Sequence, residues 1–471
     1  STVNSYNKSL QELGLLCLYL CVATTFLGSA FLSVEVGSIH LYPSRFFLSL
    51  LWLLFFISAA LTGTLLTRSQ LAVKNYFLVF ALWLVYSGSY VLLVQDYIAY
   101  VRYSLFLLMG LSIVFFVTVY ATGPEALNRI FQIWLLMFVF LVCLGLWENL
   151  TGHHLEVSRR SLADGPKLRF VPTGTYTITN RYASSLALGF PLLLSLMTTA
   201  RKKWLILLAI GLMFLTVYIV SETHSRLCLF AILLELAVAF CFFFSRRIKL
   251  LFLSACCLGL IGLAALVPSA FLQQYDLVKD HFASAVRQIE DQRASGKIRV
   301  NLFLNGLYFF RDSGGLGLGA GNFNSYMEER PYFPTSSKSH PENVVFPHNW
   351  WMELLTEYGL LIFCLYVLTF VFLFSRVVQT YRAALDPVSR RIGQFLITAL
   401  AGFLIVCMAP GYFIAFMPQW LLIGMSLAYI ASFRNMQVHS SQFTVGKMSR
   451  ESSEVRKKQS KGMSHHRGAA A

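Results

Sequence analysis

His348 stands at the start of an apolar run, and Asn349, Glu353 and Glu357 follow it at helical spacing. Residues four apart on a helix share a face, so the amide and both carboxylates line one stripe below the histidine. At about 1.5 Å per residue, Glu357 lies well inside the run. A carboxylate at that depth is costly and is expected to face a polar cavity or a cationic partner. Arginines gather near the same level of the chain. Arg226 opens another apolar run with Glu222 one turn before it, Arg299 opens a helix within a long polar segment, and Asn180 and Arg181 precede a third run. Arg45 and Arg102 sit at further helix ends. Taken singly, His348 is a capping residue, Arg226 a snorkelling side chain and Arg299 a solvated charge. Taken together they suit an anionic ligand, because the guanidinium fork makes paired hydrogen bonds to phosphate. Histidine is the side chain whose ordinary pKa fits a general base near neutral pH.

The elements that must hold these residues are membrane helices. The chain has 471 residues, of which 56% are hydrophobic and only 13% charged, with a mean hydropathy of +0.62. A soluble domain carries about 25% charged residues. Runs long enough to span occur near 11–33, 46–66, 75–94, 104–121, 129–147, 183–200, 204–221, 226–245, 250–268, 349–375, 392–410 and 412–432. The expectation is an all-α integral membrane protein of about twelve spans. Its first run lacks a small-residue cleavage site and is expected to be a spanning helix rather than a signal. The nine cysteines all lie in apolar runs, where they read as small packing residues.

Basic residues set the orientation, since cytoplasmic loops are rich in Lys and Arg. Arg68 and Lys74, Arg201 to Lys203, Arg246 to Lys249, Arg376 to Arg391 and the tail from Arg434 all fall on one side. Both termini are therefore expected in the cytoplasm and the His348 group outside, in a multi-pass plasma-membrane protein. The net charge of +16 follows from those loops and that tail, so no nucleic-acid partner is expected. Four regions result: spans and an outer loop at 148–182 within 1–268, a long extracytoplasmic loop at 269–347, further spans at 348–432, and a basic, disordered tail at 433–471. The long loop is partly helical. An amphipathic stretch from Phe271 to Ile289 suits the membrane surface, a second helix runs from about 298 to 310, and a glycine cluster, Gly314 to Gly321, ends it. That cluster lacks the Gly-Lys-Ser/Thr ending of a P-loop and reads as a tight turn. Another tight turn is expected at Pro410-Gly411. There is no metal-holding Asp-x-Asp pair, and no metal or other cofactor is expected. Glu235, in the middle of the run 226–245, has no role in this reading.

These pieces resemble the O-antigen ligase and polymerase superfamily of bacterial membrane glycosyltransferases. The resemblance rests on Ser225-Arg226 opening a helix, on Arg299-x-x-Leu-Phe, and on the Gly-Leu-Gly-x-Gly-x-Gly-Asn-Phe323 turn. It is closest at His348-Asn-x-x-x-Glu353-x-x-x-Glu357-x-Gly359, while the loop 148–157 looks like teichuronic acid polymerases of Gram-positive bacteria. The resemblance implies a GT-C-like fold and a donor glycan linked through pyrophosphate to a polyprenyl carrier. It further implies transfer to an acceptor sugar hydroxyl at the outer membrane face, inverting and metal-independent. His348 would be the base, with Glu222 as the alternative. Arg226, Arg299, Arg181, Asn180, Asn349, Glu353 and Glu357 would bind substrate, and membrane lipid would surround the helices. Polymerase and en bloc ligase stay open, as does a flippase for the same lipid-linked glycan, although no paired repeat or broken midplane helix favours a transporter.

Overall fold

The computed structural model describes residues 2–28, 32, 34–36, 39–62, 73–155, 169–244, 249–250, 296–334 and 347–433. The expected span at 250–268, the amphipathic stretch at 271–289, the basic residues at 159, 160 and 167, and the tail from 434 lie outside them. The described chain is helical apart from one hairpin, in which Val34–Val36 pairs antiparallel with Ile39–Leu41.

In chain order the helices are α1 (Thr2–Thr25), α2 (Pro43–Thr62), α3 (Lys74–Ser89), α4 (Tyr97–Tyr120), α5 (Pro124–Thr151), α6 (Thr179–Thr199), α7 (Lys203–Glu222) and α8 (Arg226–Phe242). They continue as α9 (296–312), α10 (Phe323–Glu329), α11 (Trp350–Ala383), α12 (Pro387–Val406) and α13 (Met417–Phe433). Among the described residues, eight helices are long and apolar enough to cross a membrane: α2 with α3 to α7, α11 and α12. The apolar parts of α1 and α13 and the 17 residues of α8 are shorter than that.

Local chemistry fixes several helix ends. Asp96 caps α4 by accepting the Ala99 amide at 2.9 Å, and Asp386 caps α12 through Ser389 at 2.8 Å. Proline opens both α5 and α12, where its missing N–H costs nothing. Gly152 closes α5 in the left-handed conformation, with φ of 66°.

The bundle is built around α6 and α12. Their spanning windows are 78% and 72% buried, against 22% for α2, α3 and α7. These two pack on each other, and α12 also meets α5, α8 and α11. Without a hydrophobic drive between helices in lipid, close packing and buried polar contacts hold such a centre. Thr198 of α6 accordingly donates to Gln394 of α12 at 2.6 Å, and Gly393 and Gly402 let neighbouring side chains approach α12.

Two irregular segments enter this bundle. The first is the glycine turn at 313–322, which sits against a break in α11 at Gly359 (φ 77°, ψ 179°). There the helix ladder is exchanged for a cross-strand one. Leu318 and Gly319 donate to the Thr356 and Glu357 carbonyls, and Leu360 donates to Gly315, each at 2.9 Å. The second is the link between α12 and α13. It is a ten-residue, almost wholly buried passage from Cys407 to Phe416, and not a tight turn at Pro410-Gly411. Both satisfy the rule that non-helical backbone at membrane depth must be enclosed by protein.

The Gly359 break gives a direct test. Its dihedrals lie in a region essentially reserved for glycine, and a Cβ there would stand 2.1 Å from the Leu316 carbonyl oxygen. Gly359→Ala should therefore destabilise the protein by about 3 kcal/mol or more, combining backbone strain with the clash. Thermal melting in detergent measures this, and a melt unchanged from wild type would show the break to be dispensable.

Candidate functional site

The site is assembled at the end of the bundle where α6, α8, α9 and α11 begin and α5, α7 and α12 end. His348 precedes α11 with a positive φ of 50°. Such a conformation is uncommon outside glycine, although histidine is among the residues that tolerate it. Asn349 then caps α11, its Oδ1 accepting the Trp351 amide at 3.0 Å. The same residue pair thus aims the ring and starts the helix.

The His348 ring is half-buried and hydrogen-bonds the backbone of Ala409. Burial and the nearby Arg299 guanidinium push its pKa down to about 4, against a smaller opposing effect of the Ala409 bond. The imidazole is therefore neutral at physiological pH, which is the form a general base requires. Arg299, in the first turn of α9, is itself half-buried, and that burial lowers its pKa.

Arg299 also lies within electrostatic reach of Cys228, which is fully buried on α8. Ser225 donates to the Cys228 sulfur at 3.3 Å, and the Ser184 hydroxyl of α6 lies 3.6 Å from the same atom. One turn before Ser184, Arg181 donates from Nη2 to the Tyr412 carbonyl at 3.3 Å. Tyr412 is three residues from Ala409, the partner of His348. Linked by electrostatic reach, hydrogen bonds and chain adjacency, His348, Arg299, Cys228, Ser184, Arg181, Tyr412 and Ala409 form a ring of neighbours. It carries a histidine from the segment before α11 and arginines from α6 and α9. Among the described residues, neither Arg181 nor Arg299 has a carboxylate within ion-pair distance.

Aromatic side chains enclose the Arg181 side of the ring. Tyr103 stacks on Tyr412 with centroids 4.1 Å apart, and Arg181 feels Tyr103, Tyr176 and Tyr42.

Glu353 and Glu357 lie inside the bundle and are fully buried. Their oxygens are engaged by the surrounding backbone. Glu353 accepts the amides of Phe413 at 2.8 Å and Ile414 at 3.2 Å. Glu357 accepts Gly321 at 2.8 Å and the Tyr412 hydroxyl at 2.6 Å. Glu148, at the end of α5, does the same for the non-helical segment leading into α6, accepting Thr173 at 2.8 Å and Gly174 at 2.7 Å. Its other oxygen lies 3.3 Å from His154 Nδ1.

The remaining expected residues stand further out. Glu222 is half-buried at the end of α7, with Asn149 at 3.5 Å. Arg226 is exposed at the first position of α8, and Asn180 is half-buried beside Arg181. No hydrogen bond among the described residues ties these three to His348. Sequence reasoning missed Tyr103, Ser184, Cys228, Tyr412 and Glu148. Cys228 lay in an apolar run like every other cysteine, and Tyr412 followed a Pro-Gly pair taken for a turn. Glu148 was counted as the first residue of a loop.

Comparison with known proteins bears on the family and not on the roles of these residues. Residues 211–367 match the O-Antigen ligase family, a stretch that holds Glu222, Arg226, Arg299, His348, Glu353 and Glu357. Over 428 residues the chain is 27% identical to the teichuronic acid biosynthesis protein TuaE of Bacillus subtilis (strain 168), covering 90% of this chain and 86% of that protein. The resemblance to the O-antigen ligase and polymerase superfamily is thereby borne out.

The electrostatic influence of Arg299 on His348 predicts a titration. In isotope-labelled protein, difference spectra against His348→Gln should show the ring neutral down to about pH 4. Arg299→Gln removes a neighbouring positive charge and should raise that pKa. Because the folded state resists the proton, stability should fall as pH drops from 6.5 toward 4, and His348→Gln should lessen that fall. An unshifted pKa in Arg299→Gln would disconnect the two residues.

Proposed function

We propose that this protein is a membrane glycosyltransferase that moves a glycan from a polyprenyl-pyrophosphate carrier to an acceptor sugar hydroxyl. The coarser part of this reading, a membrane protein of polysaccharide biosynthesis, is supported by the family match and by the multi-pass helical fold. What supports the finer part is the ring that joins His348, neutral beside Arg299, to Arg181 through the segment from Ala409 to Tyr412. Pyrophosphate is already a good leaving group, so guanidinium groups aimed at its developing charge supply the main electrostatic help. His348 takes the proton of the acceptor hydroxyl as that oxygen attacks the anomeric carbon, and the carrier pyrophosphate departs from the opposite face, giving inversion.

Within this reading Arg299 and Arg181 hold the pyrophosphate, while exposed Arg226, with Asn180, meets it at the rim. Asn349, Glu353 and Glu357 act by holding the site's backbone in place, not by touching sugar. Glu222 is the alternative base, but its hydrogen bond is to Asn149, outside the ring, and His348 is preferred. Growth of a chain from repeat units and transfer of a finished chain use the same chemistry, and the reading covers both.

Purified protein supplied with lipid-linked repeat units tests this directly. His348→Ala should lose about 10²–10⁴-fold in turnover while still binding the donor. Arg299→Lys should recover little, because one ammonium cannot reproduce the paired geometry. Activity should survive EDTA. Full turnover by His348→Gln would demote the histidine to positioning, and strict dependence on a divalent ion would remove the arginine-based mechanism.

Orientation has its own test. Val300 and Leu385 are both exposed, at 57% and 93%, and lie in segments expected on opposite sides. In a cysteine-depleted background, Val300→Cys should react with an impermeant thiol reagent in intact cells, whereas Leu385→Cys should not. The reverse pattern would place the site in the cytoplasm.

A further inference from the structure

At the end of the bundle opposite His348, the helices α3, α11 and α13 leave an open cleft of about 680 Å³. Its polarity is graded along the membrane normal. Asn75, Tyr76, Arg376 and Gln379 line the mouth, and Val79 and Phe372 line the walls farther in. A narrower hollow shares Val79 and Thr369 with the cleft and runs on toward Trp83 and Tyr366. Beyond its break at Gly359, α11 runs on from 360 to 383, about 36 Å at 1.5 Å per residue. That exceeds a hydrocarbon core of about 30 Å, so its last turns, with Arg376, reach the headgroup level.

Among the described residues, Arg376 is the only charged one in the lining. Its Nη1 donates to Gln379 at 3.2 Å, and no described carboxylate lies within ion-pair distance. A cationic fork beside amide and phenol groups, above a hydrocarbon-lined groove, matches a phosphate-headed amphiphile and not a free ion or a soluble sugar. We propose that this cleft is a binding site for an anionic glycerophospholipid, its phosphate on Arg376 and an acyl chain along Val79 and Phe372. Among phosphate-headed amphiphiles the glycerophospholipid bathes the helices at all times, which makes it the expected occupant. None of these residues belongs to the His348 site, so this lipid is a resident of the fold separate from the glycan donor.

Native mass spectrometry of the delipidated full-length protein tests the site, with equimolar phosphatidylglycerol and phosphatidylcholine as probes. Wild type should retain one phosphatidylglycerol with about tenfold preference, the size expected for one charge-assisted contact. Arg376→Gln should bring the two lipids to parity. Val79→Trp, which obstructs the groove, should lower occupancy by either lipid. Equal retention by wild type, or a preference that survives Arg376→Gln, would overturn the proposal. So would displacement by inorganic phosphate, which would mark a bare anion site, or stronger retention of a polyprenyl phosphate, which would assign the cleft to the carrier. Loss of the preference on deleting residues 434–471 would assign it to the basic tail.

Discussion

Irregular backbone inside a membrane has no water to satisfy it, and this protein meets that constraint with carboxylates. Of the four fully buried glutamates among the described residues, Glu148, Glu353 and Glu357 each take backbone amides from a non-helical segment. Glu148 fixes the approach to α6, Glu353 the passage between α12 and α13, and Glu357 the glycine turn. An amide donating to a carboxylate makes a stronger bond than one donating to a neutral acceptor, and leaving it unmade costs about 1–3 kcal/mol per group. Each clamp therefore does two things at once. It makes burial of a charge-bearing side chain tolerable, and it makes burial of open backbone tolerable. Neither would be stable alone.

The site is a consequence of these clamps. His348 contacts Ala409 and Arg181 contacts Tyr412, both on the passage that Glu353 holds. Tyr412 in turn reaches Glu357, whose other amide partner is the glycine turn at the end of α9, the helix that carries Arg299. The passage bearing Ala409 and Tyr412, which meets His348 and Arg181, and the glycine turn at the end of α9 are thus each held by a carboxylate of α11. The outlying α2, α3 and α7 contribute little to this and face lipid, in keeping with their low burial.

How much of this the sequence disclosed divides along physical lines. Apolar length and basic loops marked most of the helices, because hydropathy is additive along a run. The histidine, Arg181 and Arg299 were legible because each is an expensive residue at a membrane rim. The purpose of Glu353 and Glu357 was not. Their spacing promised a shared polar face, but a backbone amide leaves no trace in residue identity, so the true partners were invisible. Gly359 was legible as a motif and not as a mechanism, since the broken ladder depends on a turn 40 residues earlier in the chain. The passage at 407–416 was mistaken for a turn because Pro410-Gly411 is a strong local signal, whereas its burial is decided by Glu353 and Trp350 on another helix. Glu235 remains without a partner among the described residues, lying against Gly402 of α12, and the structure offers no account of it.

The charge balance of the site also bears on when it can act. A histidine held near pH 4 is reliably neutral but a weak base. Part of that depression comes from Arg299, whose charge no described carboxylate offsets. Under the proposed reaction the donor brings a pyrophosphate to Arg299 and Arg181, and its negative charge cancels the field that suppresses protonation of the ring. His348 then becomes a stronger base only after the donor has bound. The same electrostatics would thus join proton removal to the presence of the leaving group. No moving part is required for this, because Arg299 serves both the phosphate and the histidine from one position.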